Sequence, residues 1–225
     1  MLHTKTVEAR TLDLIKRLMS DEKLKDFRLV GGTALSLCIG HRISIDIDLF
    51  TDHEFDAPSI KKHLDKTYMT DRVLAIPNGV FGLVENIKVD LITHQYAWLN
   101  PVKEIDGIRM ASLEDICAMK VHAIVQSGSR LKDFVDVHHL LEHFSMNHLI
   151  SFYETKYPRA NRVLAENSLI YFDDVDFDNP VKLTIGDLNW KEIENRLKQA
   201  YLNKGQVFQL GVERKRSRGE GNIFR

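Results

Sequence analysis

The chain has 225 residues, 44% of them hydrophobic and 28% charged, with a formal net charge of −1. That length can bury a sizeable core without disulfide or metal staples, and the composition is ordinary for a soluble globular protein. The near-zero charge excludes a global basic field, so any polyanion site must be built from local charge.

Residues 6–20 form an amphipathic pattern in which Val7, Leu14, Ile15 and Leu18 recur at helical spacing. "FRLVGG" reads as a short strand ending in a glycine turn, and "TALSLCIG" as a helix closed by Gly40. "ISIDIDLF" alternates as a strand does, with Ile43, Ile45, Ile47 and Leu49 on one face and Ser44, Asp46 and Asp48 on the other. A helix begins near Pro58 and runs through residues 57–69. "RVLAI" and "GLVENIKVDLIT" read as strands around the turn "PNG".

From residue 112 the period becomes helical. "SLEDICAMKVHAIVQ" opens with a serine cap and an acidic residue three positions on. "RLKDFVDVHHLLEHF" is a second helix, residues 147–156 a third, and "DLNWKEIENRLKQAYL" a terminal helix capped by Asp187. "SLIYFDDVDFDNP" fits no element, and "GVERKRSRGEGNIFR" reads as a mobile basic tail. The expected fold is α+β: a small mixed sheet flanked by helices in residues 1–108, then a mostly helical domain in 109–225. Cys38 and Cys117 lie within apolar periodic segments, as buried thiols do in a reducing compartment. No stretch approaches the roughly 18 apolar residues of a membrane span, and the first twenty residues lack a signal-peptide core. A cytoplasmic protein with no membrane partner is expected.

Asp46 and Asp48 share a strand face and lie close enough to hold one divalent ion, which would relieve their repulsion. Asp90, bracketed by Val89 and Leu91 in an apolar strand, needs a partner or a metal. Three such carboxylates on adjacent strands would suit Mg²⁺, which also takes phosphate oxygens. Gly31 and Gly32 at a strand–helix junction would let backbone N–H groups approach a phosphate, with Thr33 adding a hydroxyl. Arg42 and Ser44 flank the strand, where they would orient the aspartates or touch phosphate. Lys120 falls mid-stripe among Leu113, Ile116, Cys117 and Ile124, so its ammonium needs a triphosphate or a carboxylate as partner. His138, His139, His143 and His148 cluster without a zinc spacing and read as structural.

"VGGTAL…HRISIDIDLF" resembles the first motif of the polymerase-beta-type nucleotidyltransferases. Together with "KVDLI" and "R-x-K-D-x-x-D", it resembles more narrowly the AbiEii family, nucleotidyltransferase toxins of type IV toxin–antitoxin systems. The resemblance covers residues 29–50, 84–93 and 112–141. It implies Asp46, Asp48 and Asp90 as ligands of a two-Mg²⁺ site and as catalytic carboxylates. It also implies catalytic or nucleotide-binding roles for Lys120, Arg130, Lys132, Asp133 and Asp136. The reaction implied moves a nucleoside monophosphate from a nucleoside triphosphate to an acceptor hydroxyl, in such families the 3′ end of tRNA, under the control of a cognate antitoxin. A small-molecule, antibiotic-type nucleotidyltransferase and a non-enzymatic nucleotide-binding module are the alternatives.

Overall fold

Thr11, Leu14, Ile15, Leu18 and Met19 lose their solvent contact along one side of α1 (Ala9–Ser20), at the i, i+3, i+4, i+7 spacing that buries a single helical face. The helix begins later than its pattern suggests, because Thr4–Thr6 forms a separate 3₁₀ turn fastened by the Thr6 hydroxyl to the His3 carbonyl at 2.8 Å. The computed structural model describes residues 1–209, so the basic tail expected from Gly211 lies outside the described residues.

Strand β1 (Arg28–Val30) runs directly into α2 (Gly31–Ile39), which ends at Gly40 in the left-handed conformation, φ 74°. Then follow β2 (Ile47–Thr51), α3 (Ala57–Thr67), β3 (Thr70–Ile76), β4 (Gly79–Val84) and β5 (Ile87–Thr93). A hairpin of β6 (Lys103–Ile105) and β7 (Ile108–Met110) completes a mixed seven-stranded sheet of order β3-β4-β5-β2-β1-β7-β6. β2 and β5 pair in parallel, as do β1 and β7, and the other neighbours are antiparallel. After the sheet come α4 (Leu113–Gln126), α5 (Leu131–Leu140), α6 (Met146–Lys156), α7 (Arg162–Ser168) and α8 (Trp190–Leu202). The α+β expectation therefore holds. α2 packs on β1 and β2 and is met in turn by α4 and α5, and the buried apolar residues of both halves form one cluster.

Several expected elements differ, each for a local reason. "GLVENIKVDLIT" is two strands, because Glu85 and Asn86 adopt φ of 53° and 61° and turn the chain into a tight hairpin. The β6–β7 hairpin turns at Asp106 and Gly107, with φ of 54° and 77°. Residues 43–46 precede β2 instead of belonging to it. The Ile43 N–H goes to the Lys182 carbonyl and the Ser44 N–H to the Thr6 carbonyl, so the sheet holds neither, and Ile45 is 60% exposed. The chain just beyond the segment that fitted no element lies alongside instead: Leu183 bridges to Arg42. Asn189, not Asp187, is the residue before α8. In α4, Ser112 accepts from the Asp115 N–H as expected, and its hydroxyl donates at 2.8 Å to the Asp115 carboxylate, which has further partners. It receives the N–H groups of Leu99 and Asn100 and pairs with the fully buried Lys156 at 2.8 Å, tying α6 to the chain between β5 and β6.

His94, just beyond β5, shares a 3.2 Å hydrogen bond with the Tyr157 hydroxyl. Burial, with the nearby Lys156 and His122, pushes its pKa down to about 4. The unfolded ring titrates near 6.5, so between these values only the unfolded chain takes up the proton. Stability is thus fully present above about pH 6.5 and falls as the pH drops towards 4. One unit of depression is worth about 1.4 kcal/mol, lessened here by the ring's remaining solvent contact. Urea titrations at pH 7 and pH 5 are expected to show a smaller loss for His94→Gln than for the natural chain; equal losses would remove His94 from the account.

Candidate active site

Parallel pairing of β2 with β5 sets Asp48 directly opposite Asp90. Residues in register across neighbouring strands project to the same face, so the two carboxylates stand side by side. Asp46 lies two residues upstream, at the entrance to β2. On the other flank β1 pairs with β2 through Val30 and Asp48, and the next residue, Gly31, starts α2. The strand pair, the glycine turn and the helix N-terminus thus meet at Asp48.

The glycines make that convergence possible. Gly31 has φ 69°, a left-handed conformation that other residues resist, and a Cβ there would collide with the Asp48 carboxylate. A Cβ on Gly32 would collide with the Arg42 guanidinium and stand 3.3 Å from Ser44 Oγ. Both positions are therefore required by side chains of the chain itself, beyond any need for a phosphate to approach.

Thr33, Ser44 and Arg42 turn inward. The Thr33 hydroxyl lies 2.9 Å from Ser44 Oγ and also donates to the Asp46 carbonyl, which fixes the backbone leading into β2. Arg42 is 4% exposed and forks onto Asp136, with Nε at 2.6 Å from Oδ1 and Nη2 at 3.0 Å from Oδ2. His41 Nε2 reaches the same carboxylate at 2.7 Å. The Arg42–Asp136 pair holds the approach to Asp46 against α5.

Lys120 finds carboxylate partners on α5. Its ammonium lies 2.7 Å from both Asp133 Oδ1 and Asp136 Oδ2, and Arg130 closes the network at 2.7 Å from Asp133 Oδ2. Burial opposes the Lys120 charge, but Asp136 and Asp133 more than offset it, so its pKa is raised. Burial likewise opposes the Asp136 charge, and Arg42 and Lys120 hold that carboxyl well below the usual range.

Burial raises the Asp48 pKa, the neighbouring Asp90 and Asp46 charges push the same way, and Lys120 restrains the rise. Lys88 Nζ is 2.8 Å from Asp90 Oδ2, and Lys132 Nζ is 3.5 Å from Asp46 Oδ2. Lys88 belongs to the site although sequence reading gave it no role. Its signal was the alternation that sets it two residues before Asp90, on the same face. The other oxygen, Asp90 Oδ1, is buried with no hydrogen-bond partner among the described residues. Three oxygen donors, one of them orphaned and one resisting ionisation, fit a hard divalent cation such as Mg²⁺.

A cleft of about 250 Å³ opens beside the carboxylates, lined by Glu8, Arg10, Ile45, Asp46, Asn86 and Lys88. Arg10 and Lys88 of this cleft, Lys132 beside Asp46 and Arg130 beside Asp133 keep 42–68% of their side chains exposed. A larger cavity, about 1050 Å³, lies at the other end of α2, where Ile39, Gly40 and His41 contribute to its wall. It does not touch the carboxylates.

The comparisons with known proteins agree with this geometry. A model of the family described as nucleotidyl transferase AbiEii toxin, type IV TA system, matches residues 13–80 and 79–203. An uncharacterised protein of Aquifex aeolicus (strain VF5) is 34% identical over 168 residues, 72% of this chain and 81% of that protein. The fold is similar to that of a candidate nucleotidyltransferase from H. pylori, with a TM-score of 0.52 at 19% identity, covering 87% of this chain and 96% of the other. It is also similar to MenT4, a nucleotidyltransferase toxin of Mycobacterium tuberculosis H37Rv, with a TM-score of 0.52 at 14% identity over 86% and 84% of the two chains. The carboxylates, the glycine turn and the α4–α5 network all fall inside the matched ranges, and the chain belongs to the AbiEii family of type IV toxins and is a nucleotidyltransferase.

Proposed function

We propose that this enzyme transfers a nucleoside monophosphate from a Mg²⁺-bound nucleoside triphosphate to a hydroxyl of an RNA, such as the 3′ end of a tRNA, and thereby inhibits growth until an antitoxin restrains it. Family membership implies the triphosphate substrate and the antitoxin partner. The observation that carries the reading is the side-by-side register of Asp48 and Asp90, with Asp46 at the mouth of the cleft. These three carboxylates would hold the metal. Mg²⁺ bound there would supply Lewis-acid stabilisation of charge on the phosphoryl oxygens.

The chain's own groups account for the rest. The N–H groups of the first turn of α2 would offer a phosphate the donors of a helix N-terminus. Asp90 would take the proton as the acceptor oxygen bonds to the α-phosphorus and the bond to pyrophosphate breaks. Lys88 and Lys132, which lie on Asp90 and Asp46, would contribute positive charge to the polyphosphate. The half-exposed Arg10, Lys88, Arg130 and Lys132 favour a polyanionic acceptor over a cationic antibiotic. No helix among the described residues is long and apolar enough to cross a membrane.

The test is incubation of the purified protein with each α-labelled nucleoside triphosphate, Mg²⁺ and total RNA. Label is expected in RNA, and chelation by EDTA is expected to abolish it. Label confined to small molecules, or metal-independent labelling, would overturn the corresponding part of the proposal.

A further inference from the structure

The cavity at the far end of α2 is lined by His41, His138, His139, Glu142 and His143, most of which the transfer site leaves unused. His138 and His139 occupy the last turn of α5, and Glu142 follows it. Spacings of four and three residues bring the Glu142 carboxylate beside both imidazoles. One ligand atom from each of the three lies within 4.8 Å of the other two.

The second partners of these groups are already in place. Arg196 Nη1 holds Glu142 Oε1 at 2.6 Å and the His138 carbonyl at 3.1 Å, while Glu142 Oε2 faces His139 Nδ1 at 3.4 Å. One carboxylate oxygen is thus oriented and the other is left towards the histidines, as outer partners do for a ligating carboxylate. His138 is 9% exposed, and its buried Nδ1 has no hydrogen-bond partner among the described residues. Leaving such a nitrogen unsatisfied is costly, and a bound cation in the cluster would offset that cost. The neighbouring His41 ring lies 5.2 Å from that of His139, centroid to centroid.

We propose that His138, His139 and Glu142 form a second metal site, separate from the Asp46–Asp48–Asp90 carboxylates, for a divalent ion of the zinc class. Two imidazole nitrogens and one carboxylate oxygen are a borderline donor set that suits Zn²⁺ better than Mg²⁺. Three protein ligands beside an open cavity leave a coordination position for water or a small ligand. Arg196 cancels part of the carboxylate charge, which weakens the site but fixes its orientation.

Chelator-treated full-length protein carrying Asp46→Asn and Asp48→Asn, which disables the carboxylate site, is titrated with Zn²⁺ by calorimetry. One ion per chain is expected to bind. Adding His139→Gln or Glu142→Gln is expected to weaken binding at least about tenfold. Co²⁺ added to the natural chain is expected to give visible bands typical of imidazole ligation, and His139→Gln to lose them. Circular dichroism checks that each variant is folded; if His139→Gln is not, Glu142→Gln and the Co²⁺ spectrum of the natural chain decide. Absence of Zn²⁺ binding in the Asp46→Asn, Asp48→Asn background overturns the proposal, as does affinity unchanged by Glu142→Gln. A Co²⁺ spectrum of oxygen-only ligation does so as well.

Discussion

Asp48→Ala is expected to lose nucleotidyl transfer by at least about 10²–10³-fold, the scale of removing one preorganised charged group from a reacting centre, while its thermal stability holds or rises. The second half of that expectation is the more telling. Removing a buried carboxylate usually destabilises a protein, because a charge partner is stranded. Asp48 is different: burial and the flanking Asp46 and Asp90 charges already raise its pKa. Its main attraction is to Lys120, which keeps contacts of 2.7 Å to Asp133 and Asp136 when Asp48 is gone. A group that costs the metal-free fold something and persists is best understood as held for its ligand. Transfer assays with each labelled triphosphate, alongside thermal melts without metal, check both halves. Activity near the natural level would sink the metal assignment. A fall of several degrees in the melt would make Asp48 a structural residue instead.

The carboxylates were legible in the sequence because strand alternation and chain order act locally. Asp48 lies in an alternating run and Asp90 inside an apolar one, and no long-range information is needed to put those two on strand faces; Asp46 sits just before β2. Their mutual register was not legible, since the β2–β5 pairing depends on which strands become neighbours. Residues 43–46 continued the same alternation and were read as strand, yet their backbone groups go to Thr6 and Lys182. The partner segment near Lys182 had no periodic signal at all. The Glu85–Asn86 turn escaped notice because a hairpin without glycine leaves only the asparagine as a cue. Lys120 was recognisable as a buried charge needing a partner, and the sequence reading favoured a nucleotide over a carboxylate. The structure supplies Asp133 and Asp136, both on the next helix. The histidines illustrate the opposite limit: four scattered positions look structural until the end of α5 brings two of them against Glu142.

Asp136→Ala is expected to destabilise the chain by about 3–5 kcal/mol, the usual cost of removing one partner from a buried charge network. Asp136 has no exposed surface and accepts from His41, Arg42 and Lys120 together. Without it, two buried cations depend on Asp133 alone, which already serves Arg130. The network also joins α5 to the chain between α2 and β2, so the damage is not confined to one helix. Asp136→Asn keeps the shape and one acceptor oxygen but deletes the charge and turns an N–H donor towards the cations, and is expected to lose nearly as much. The pH dependence separates this effect from that of His94. Because the Asp136 carboxyl is held well below the usual range, its contribution is fully present above the unfolded value near 4. It fades only as the pH falls through the depressed folded value. The difference between natural and Asp136→Asn chains should therefore be flat from pH 5 to 8 in urea titrations, where the His94 contribution changes. A destabilisation below about 1 kcal/mol, the scale of an exposed ion pair, would mean that water reaches the network and that Arg42 is not fixed by it. In that case Arg42 would be free to leave Gly32 for a phosphate, and the phosphate contact expected from its place beside the strand would return.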